Sequence, residues 1–152
     1  MPTLIIYRSK HGAAKQYAEW IAADLADSAI FSVDDYDFKD IDKYDSVVLT
    51  SGTYLGEIGI RSYLIKNWSK FQHKRLYLLA VGIVFGNDGE IGYKMIPKHI
   101  RENIGYSKVP GKIEAHQLNP WEKFIIWITQ APNTNQIDKN LIQPVLDYIN
   151  KG

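Results

Sequence analysis

Residues 4–25 read LIIYRSKHGAAKQYAEWIAADL, and the order of residue types in this stretch decides the fold. Leu4-Ile5-Ile6-Tyr7 is a short, nearly continuous apolar run, as expected of a strand buried on both faces. Arg8-Ser9-Lys10-His11-Gly12 breaks it with polar residues and one glycine. Apolar residues then return at Ala14, Tyr17, Ala18, Ile21, Ala22 and Leu25, the i, i+3, i+4, i+7 spacing of one helical face. The stretch is therefore strand, tight turn, helix. The first turn of such a helix carries backbone N–H groups without intrahelical partners, at the positive end of the helix dipole. Together they form a seat for an anion, most often a phosphate. Ser9 can add a hydroxyl donor, and Lys10 and Lys15 can add charge. The plainer reading is that every strand–helix unit needs a turn, with or without a ligand. The Gly-Lys-Ser/Thr of a P-loop is missing, and one glycine does not make the dinucleotide Gly-x-Gly-x-x-Gly.

Further along, Ala29–Val33 alternates as a second strand and Ser46–Thr50 reads as a third. Between them Asp34–Asp45 is acidic, with a turn or short helix over Phe38–Tyr44. Glu57–Phe71 has Ile60, Tyr63, Leu64 and Trp68 at helical spacing, and Leu76–Val81 is a fourth strand. Glu90–Ile104 reads as helical, with Pro97 starting a turn or a kink. Lys112–Leu118 is expected to be the fifth strand. Asn119-Pro120 is a helix-start signal ahead of the very apolar Trp121–Ile128, and Gln136–Asn150 is a final helix. Strands alternating with helices predict one α/β domain over residues 1–152. Its expected architecture is a three-layer, doubly wound, five-stranded parallel sheet of order 2-1-3-4-5, with an extra apolar segment after strand five.

Composition narrows the function. The 152 residues suit one domain with a proper core, and 45% apolar content excludes a disordered chain. There is no cysteine, which excludes thiolate-ligated clusters, disulfides and cysteine nucleophiles. The four histidines show no metal-ligand spacing, so no metal is expected. The formal net charge of +1, with scattered basic residues, gives no argument for a nucleic-acid partner. No apolar run approaches the ~20 residues that span a bilayer, and the N-terminus shows no signal pattern, so a cytoplasmic protein is expected.

In a doubly wound sheet, ligands sit beyond the carboxyl ends of the strands where the winding reverses. Three loops rich in glycine and small polar residues reach that edge. The first is Ser9-Lys10-His11-Gly12-Ala13-Ala14. The second is Thr50-Ser51-Gly52-Thr53-Tyr54-Leu55-Gly56. The third runs from Gly82 to Gly89 and includes Phe85, Gly86 and Asn87. They suit a flat, phosphate-bearing ligand, with the phosphate in the first loop and a ring between the other two. Tyr54 and Phe85 are candidates to stack on that ring, a contact adding about 0.5–1.5 kcal/mol beyond area burial. For each, the alternative is a loop anchor packed on the sheet. Glu57 and Asp88 are candidate charges near the ring, or simply a helix cap and a turn residue. Trp121, Phe124, Ile125, Trp127 and Ile128 form an apolar patch. It is either a helix packed on the sheet or a docking surface for a partner protein or a small aromatic substrate; with only Lys123 nearby, membrane contact is not expected.

On the residues of Leu4–Trp20, Val47–Gly56 and Asn119–Ile128, the chain resembles the flavodoxin-like FMN proteins over nearly its whole length. It looks closest to their protoporphyrinogen oxidase branch, which carries an extra apolar, aromatic segment after strand five. Flavodoxins commonly show Ser/Thr-x-Thr-Gly-x-Thr at the phosphate loop. Ser9 and Gly12 match that pattern, whereas His11 and Ala14 depart from it, leaving backbone donors and Lys10 or Lys15 to compensate. The resemblance implies FMN as cofactor, a ring between Thr50–Gly56 and Gly82–Gly89, and a peptide at Gly52 or Gly56 able to turn over toward flavin N5. Two roles follow from it: a redox protein passing electrons to a specific partner or substrate, and an FMN-dependent oxidoreductase acting on a porphyrinogen or quinone. A cofactor-free interaction domain on the same fold is the third reading.

Overall fold

A computed structural model describes residues 2–10, 12–54, 57–82, 92–111 and 137–151, without the Tyr54 side chain. Strand β1 is Thr3–Arg8, helix α1 is Ala13–Asp24, and strand β2 is Ser28–Ser32. Strand β3 is Ser46–Tyr54, and it is followed by a two-residue strand β4, Glu57–Ile58. Helices α2 (Arg61–Lys66) and α3 (Trp68–Phe71) lead to β5, Arg75–Gly82. Helix α4, Lys98–Arg101, precedes β6, Ile104–Pro110. A 3-10 turn over Lys139–Ile142 runs into the last helix, α5, Gln143–Asn150.

The main sheet is parallel throughout, in the order β2-β1-β3-β5-β6, with β4 antiparallel to β3. With the two-residue strand set aside, this is the expected 2-1-3-4-5 order, and the winding reverses between β1 and β3. Alternate residues of each strand feed opposite cores. Leu4, Ile6, Val47, Leu49, Leu76 and Leu78 pack under α2, α3 and the connection from β2 to β3. Ile5, Val48, Leu79, Val81 and Val109 pack against α1 and α5. The three layers of the sequence reading are therefore present.

Two elements differ from expectation. The fifth parallel strand is Ile104–Pro110, and Lys112–Leu118 lies outside the described residues. Ile104, read as the end of a helix, instead opens this strand. The helix before it is short and begins after Pro97, whose carbonyl accepts the Ile100 and Arg101 N–H groups. Gly105, Ser107, Lys108 and Pro110 are poor strand formers, so local propensity hides β6. Pairing with β5 creates it: Tyr77 faces Gly105 across the ladder, and its hydroxyl donates to Ser107 Oγ at 2.8 Å. The second difference is the start of the helix after β3. Glu57 and Ile58 are extended, and the helical part divides at Asn67, whose amide donates to the Tyr63 carbonyl.

The connection from β2 to β3 has no α-helix, only a 3-10 turn at Ile41–Lys43. Aromatic residues fill that layer instead. Phe38, at φ 64°, packs against Tyr36, Tyr63 and Phe71. The Tyr63 hydroxyl is buried without a partner among the described residues, and burial pushes its pKa up to about 12. Tyr17, Tyr36 and Tyr77 are also raised, in each case chiefly by burial. A raised folded-state pKa contributes stability in full below the unfolded value near 10 and loses it as pH climbs toward the folded value. Thermal stability should therefore fall as pH rises from 10 to 12. Tyr63→Phe, which removes an unsatisfied hydroxyl, should be neutral or slightly stabilising at pH 7 and should flatten the fall. Melting curves across that range check both; a flat profile in the parent protein would contradict the burial of these phenols.

Candidate functional site

The turn after β1 is built around Gly12, which has φ 90° and ψ −15° and caps α1. This left-handed conformation is one that glycine adopts without steric cost. The Gly12 N–H donates to Ser9 Oγ at 3.0 Å, so Ser9 closes the turn with its hydroxyl. The first intrahelical bond runs from Gln16 N–H to the Gly12 carbonyl. The N–H groups of Ala13, Ala14 and Lys15 precede that bond and have no acceptor within the helix. No acidic residue lies in this first turn, and Lys15 sits in it. A surface helix ordinarily prefers carboxylates there, because they oppose the dipole; this helix instead presents an uncompensated positive end. Among the described residues, a Cβ built on Gly12 would meet no heavy atom within 4 Å. Lys10 is exposed beside it, and His11 lies outside the described residues.

Ala13 and Ala14 contribute backbone only. Their side chains are buried in the core between α1 and the sheet. Position 14 therefore has no outward-facing side chain to lose a hydroxyl from. The Ala14 carbonyl accepts a 3.0 Å bond from Thr50 Oγ1, which is fully buried. Thr50 thus ties β3 to α1 and does not reach the rim. Ser51 is buried as well: its hydroxyl donates to the Gly52 carbonyl and accepts the Ile60 N–H at 2.9 Å. Gly52 is paired with Val81 of β5, and its carbonyl also accepts the Gly59 N–H at 3.1 Å. Turning over the Gly52–Thr53 peptide would break both bonds to that carbonyl. This leaves Gly56 as the flexible-peptide candidate, and Gly56 lies outside the described residues with Leu55 and the Tyr54 side chain.

The chain after β3 forms a hairpin in which Thr53 pairs with Ile58 and Tyr54 with Glu57. Sequence reasoning missed it. The available signal was two extended pairs around residues 55 and 56, but Leu-Gly is not among the strongest two-residue turns. The hairpin returns across the end of β1: a Cβ on Gly59 would lie 3.5 Å from Arg8 Cδ and 3.3 Å from both the Gly52 carbonyl oxygen and Ser51 Oγ. On the other side of β3, a Cβ on Gly82 would collide with Thr53 Oγ1. The first and second loops thus meet at Arg8 and Gly59, and the second and third meet at Thr53 and Gly82. Gly82→Ala should lower stability by roughly 1–3 kcal/mol through overpacking, because pairing with Pro110 and the Gly111 N–H bond to its carbonyl hold Gly82 in place. Urea denaturation checks this, and a change below about 0.5 kcal/mol would mean that Thr53 rotates away freely. Phe85, Gly86, Asn87 and Gly89 of the third loop, and Trp121–Ile128, lie outside the described residues.

Arg61 and Tyr17 were not foreseen as residues organising this rim. Arg61 Nη1 donates to the Met95 carbonyl at 3.2 Å, and the Tyr17 hydroxyl joins α1 to Pro110 and Asp138. Neither contact leaves a periodic trace in sequence. No helix among the described residues is long and apolar enough to cross a membrane.

The chain resembles solved structures that share this arrangement. A flavodoxin from the domain Archaea superposes with a TM-score of 0.54 at 15% identity, over 86% of this chain and 97% of that one. The flavodoxin of Streptococcus pneumonia TIGR4 gives 0.51 at 16% identity, over 82% and 94%. Two-electron reduced Megasphaera elsdenii flavodoxin gives 0.52 at 17% identity, over 71% and 82%. At such identities the likeness shows the fold. No curated protein matches the sequence. Neither the neighbours nor the family match favours the protoporphyrinogen oxidase branch over other flavodoxin-like proteins. The sequence pattern of the Flavodoxin domain matches residues 4–140, most of the chain. With its parallel sheet and the turn at its switch point, the chain belongs to the flavodoxin domain family.

Proposed function

We propose that this protein binds FMN and passes electrons to a specific partner or substrate. The observation that carries the proposal is the amino end of α1: a helix terminus with no acidic residue in its first turn and, among the described residues, nothing within 4 Å of a Cβ at Gly12, at the point where the sheet's winding reverses. Family membership and the flavodoxin neighbours support it. The N–H groups of Ala13, Ala14 and Lys15 would hold the phosphate, with the Lys10 and Lys15 ammonium groups adding charge attraction. Thr50 and Ser51 act one step back, holding β3 and its hairpin against α1 through buried hydrogen bonds. Bound FMN supplies one- and two-electron redox chemistry; the protein binds it, orients it and sets the charge around it.

The formal net charge of +1 distinguishes the chain from acidic shuttle proteins steered to many basic partners, and favours a dedicated partner or substrate. Purified protein should be yellow, or should quench added FMN fluorescence at micromolar concentration. A colourless protein that leaves FMN fluorescent would overturn the proposal in favour of an interaction domain. Stopped-flow reoxidation of the reduced protein then separates the two redox roles. Acceleration by a partner flavoprotein or haem protein supports electron transfer between proteins, whereas acceleration by a quinone, or reduction of the oxidised protein by protoporphyrinogen, assigns the oxidoreductase role.

A further inference from the structure

We infer that this chain forms a symmetric dimer in which the acidic connection from β2 to β3 of one copy lies against helix α4 of the other. The inference does not depend on the FMN reading. Basic residues that look scattered along the sequence are gathered by the fold. The stretch from Asp34 to Asp45 holds six aspartates and two lysines, and Asp34, Asp35, Asp37, Asp42 and Asp45 are exposed. Both lysines are taken up within it, Lys39 by Asp37 and Lys43 by Asp40. The described residues 58–82 and 92–101 hold eight lysines and arginines and no Asp or Glu. Of these, Lys66, Lys70, Lys94 and Lys98 are exposed. Both sets belong to one layer, because Tyr36, Tyr44, Leu64, Phe71, Ile96 and Ile100 share a single core on one face of the sheet.

The order across that face follows the strands. Phe31 of β2 packs on Tyr36, which places the acidic connection at the β2 edge. Tyr93, ahead of α4, stacks on Tyr106 of β6 at 4.7 Å between centroids, which places α4 at the opposite edge. Helices α2 and α3 lie between them: Tyr63 and Phe71 touch Phe38, and Arg61 Nη1 donates to the Met95 carbonyl. Among the described residues the face is thus negative at one edge and positive from its middle to the other. A twofold axis running along the strands, over α2 and α3, sets each copy's acidic edge on its partner's basic edge. An axis across the strands would set acid on acid. Charge complementarity therefore selects one closed, isologous arrangement. Ile65 on α2 and Met95 ahead of α4 are 40% and 41% exposed, the exposed large hydrophobics among the described residues. Both lie in the positive part of this face, where a partner copy would cover them. Methionine and arginine are the residues such interfaces favour. The opposite face mixes its signs: α1 carries Lys15, Glu19 and Asp24, α5 carries Asp147, and Lys139 pairs with Asp24 at 3.8 Å.

Sedimentation velocity of the full chain tests this. A mostly charged contact is sensitive to screening, so the wild type should be dimeric at about 0.01 M salt and monomeric at about 1 M. Two variants reverse one edge each: Asp35→Lys with Asp42→Lys, and Lys94→Glu with Lys98→Glu. Each alone should lose self-association by about tenfold or more at low salt, since like charges then face each other. An equimolar mixture of the two should pair again as a heterodimer, because both of its contacts are complementary. Glu19→Lys with Asp147→Lys makes the same change in net charge on the opposite face. This control should dimerise like the wild type and should not pair with the Lys94→Glu, Lys98→Glu variant. Circular dichroism confirms folding, and the single changes Asp42→Lys and Lys98→Glu replace a double variant that fails to fold. A wild type monomeric at low salt would overturn the inference. So would a dimer that both reversals keep, or a mixture that stays monomeric. Pairing of the control with the Lys94→Glu, Lys98→Glu variant would also overturn it, by showing general attraction between oppositely charged proteins.

Discussion

On the proposed function, Gly12→Asp is expected to abolish FMN binding while leaving the fold intact. Gly12 stands at φ 90°, and among the described residues a Cβ there meets no heavy atom within 4 Å. Asp and Asn tolerate left-handed backbone better than other residues, at a cost of roughly 1–2 kcal/mol at most. The aspartate differs from asparagine in one respect that matters to a phosphate dianion. At about 4 Å, two like charges repel by about 1–4 kcal/mol between bulk water and a protein surface, and the dianion carries nearly two. Loss of affinity should be roughly hundredfold or more for Gly12→Asp and much smaller for Gly12→Asn. FMN fluorescence titration of the two variants, with circular dichroism to confirm folding, decides the matter. Equal affinity in both would mean that the phosphate does not sit at this turn.

Tyr17→Phe should cost about 2–4 kcal/mol of folding free energy, a large share of a domain's total. The Tyr17 side chain is fully buried, and its hydroxyl serves two distant partners. It donates to the Pro110 carbonyl at 2.9 Å and accepts the Asp138 N–H at 3.1 Å. One phenol thus ties α1 to the end of β6 and to the start of the carboxyl-terminal turn. Phenylalanine preserves the ring's packing, including its edge contact with Trp20, and leaves both backbone groups short of a partner. Urea unfolding should show the loss, and hydrogen exchange at Asp138 should quicken. A loss below about 0.5 kcal/mol would mean that water replaces the hydroxyl and that the junction is not under tension.

Much of this architecture is written in local periodicity. The apolar run of Leu4–Tyr7 and the helical stripe from Ala14 to Leu25 determine a strand, a turn and a helix wherever they are placed. Repetition of that unit determines a parallel sheet covered on both faces, because each strand is apolar on two sides. Gly12 is legible for the same reason: a helix that begins immediately after a strand needs a turn, and the lone glycine marks it.

What the tertiary structure alone decided concerns partners far apart in sequence. Thr50 and Ser51 look like rim residues by position, yet their hydroxyls are spent on Ala14, Gly52 and Ile60. β6 exists because Gly105 lets Tyr77 lie over it, not because Ile104–Pro110 prefers extension. The Tyr17 junction spans separations of 93 and 121 residues. Side-chain period reports which face of an element is buried, and so it determines layers and their order. A hydrogen bond between distant segments has no period, and which polar groups face the rim is settled only when the layers close.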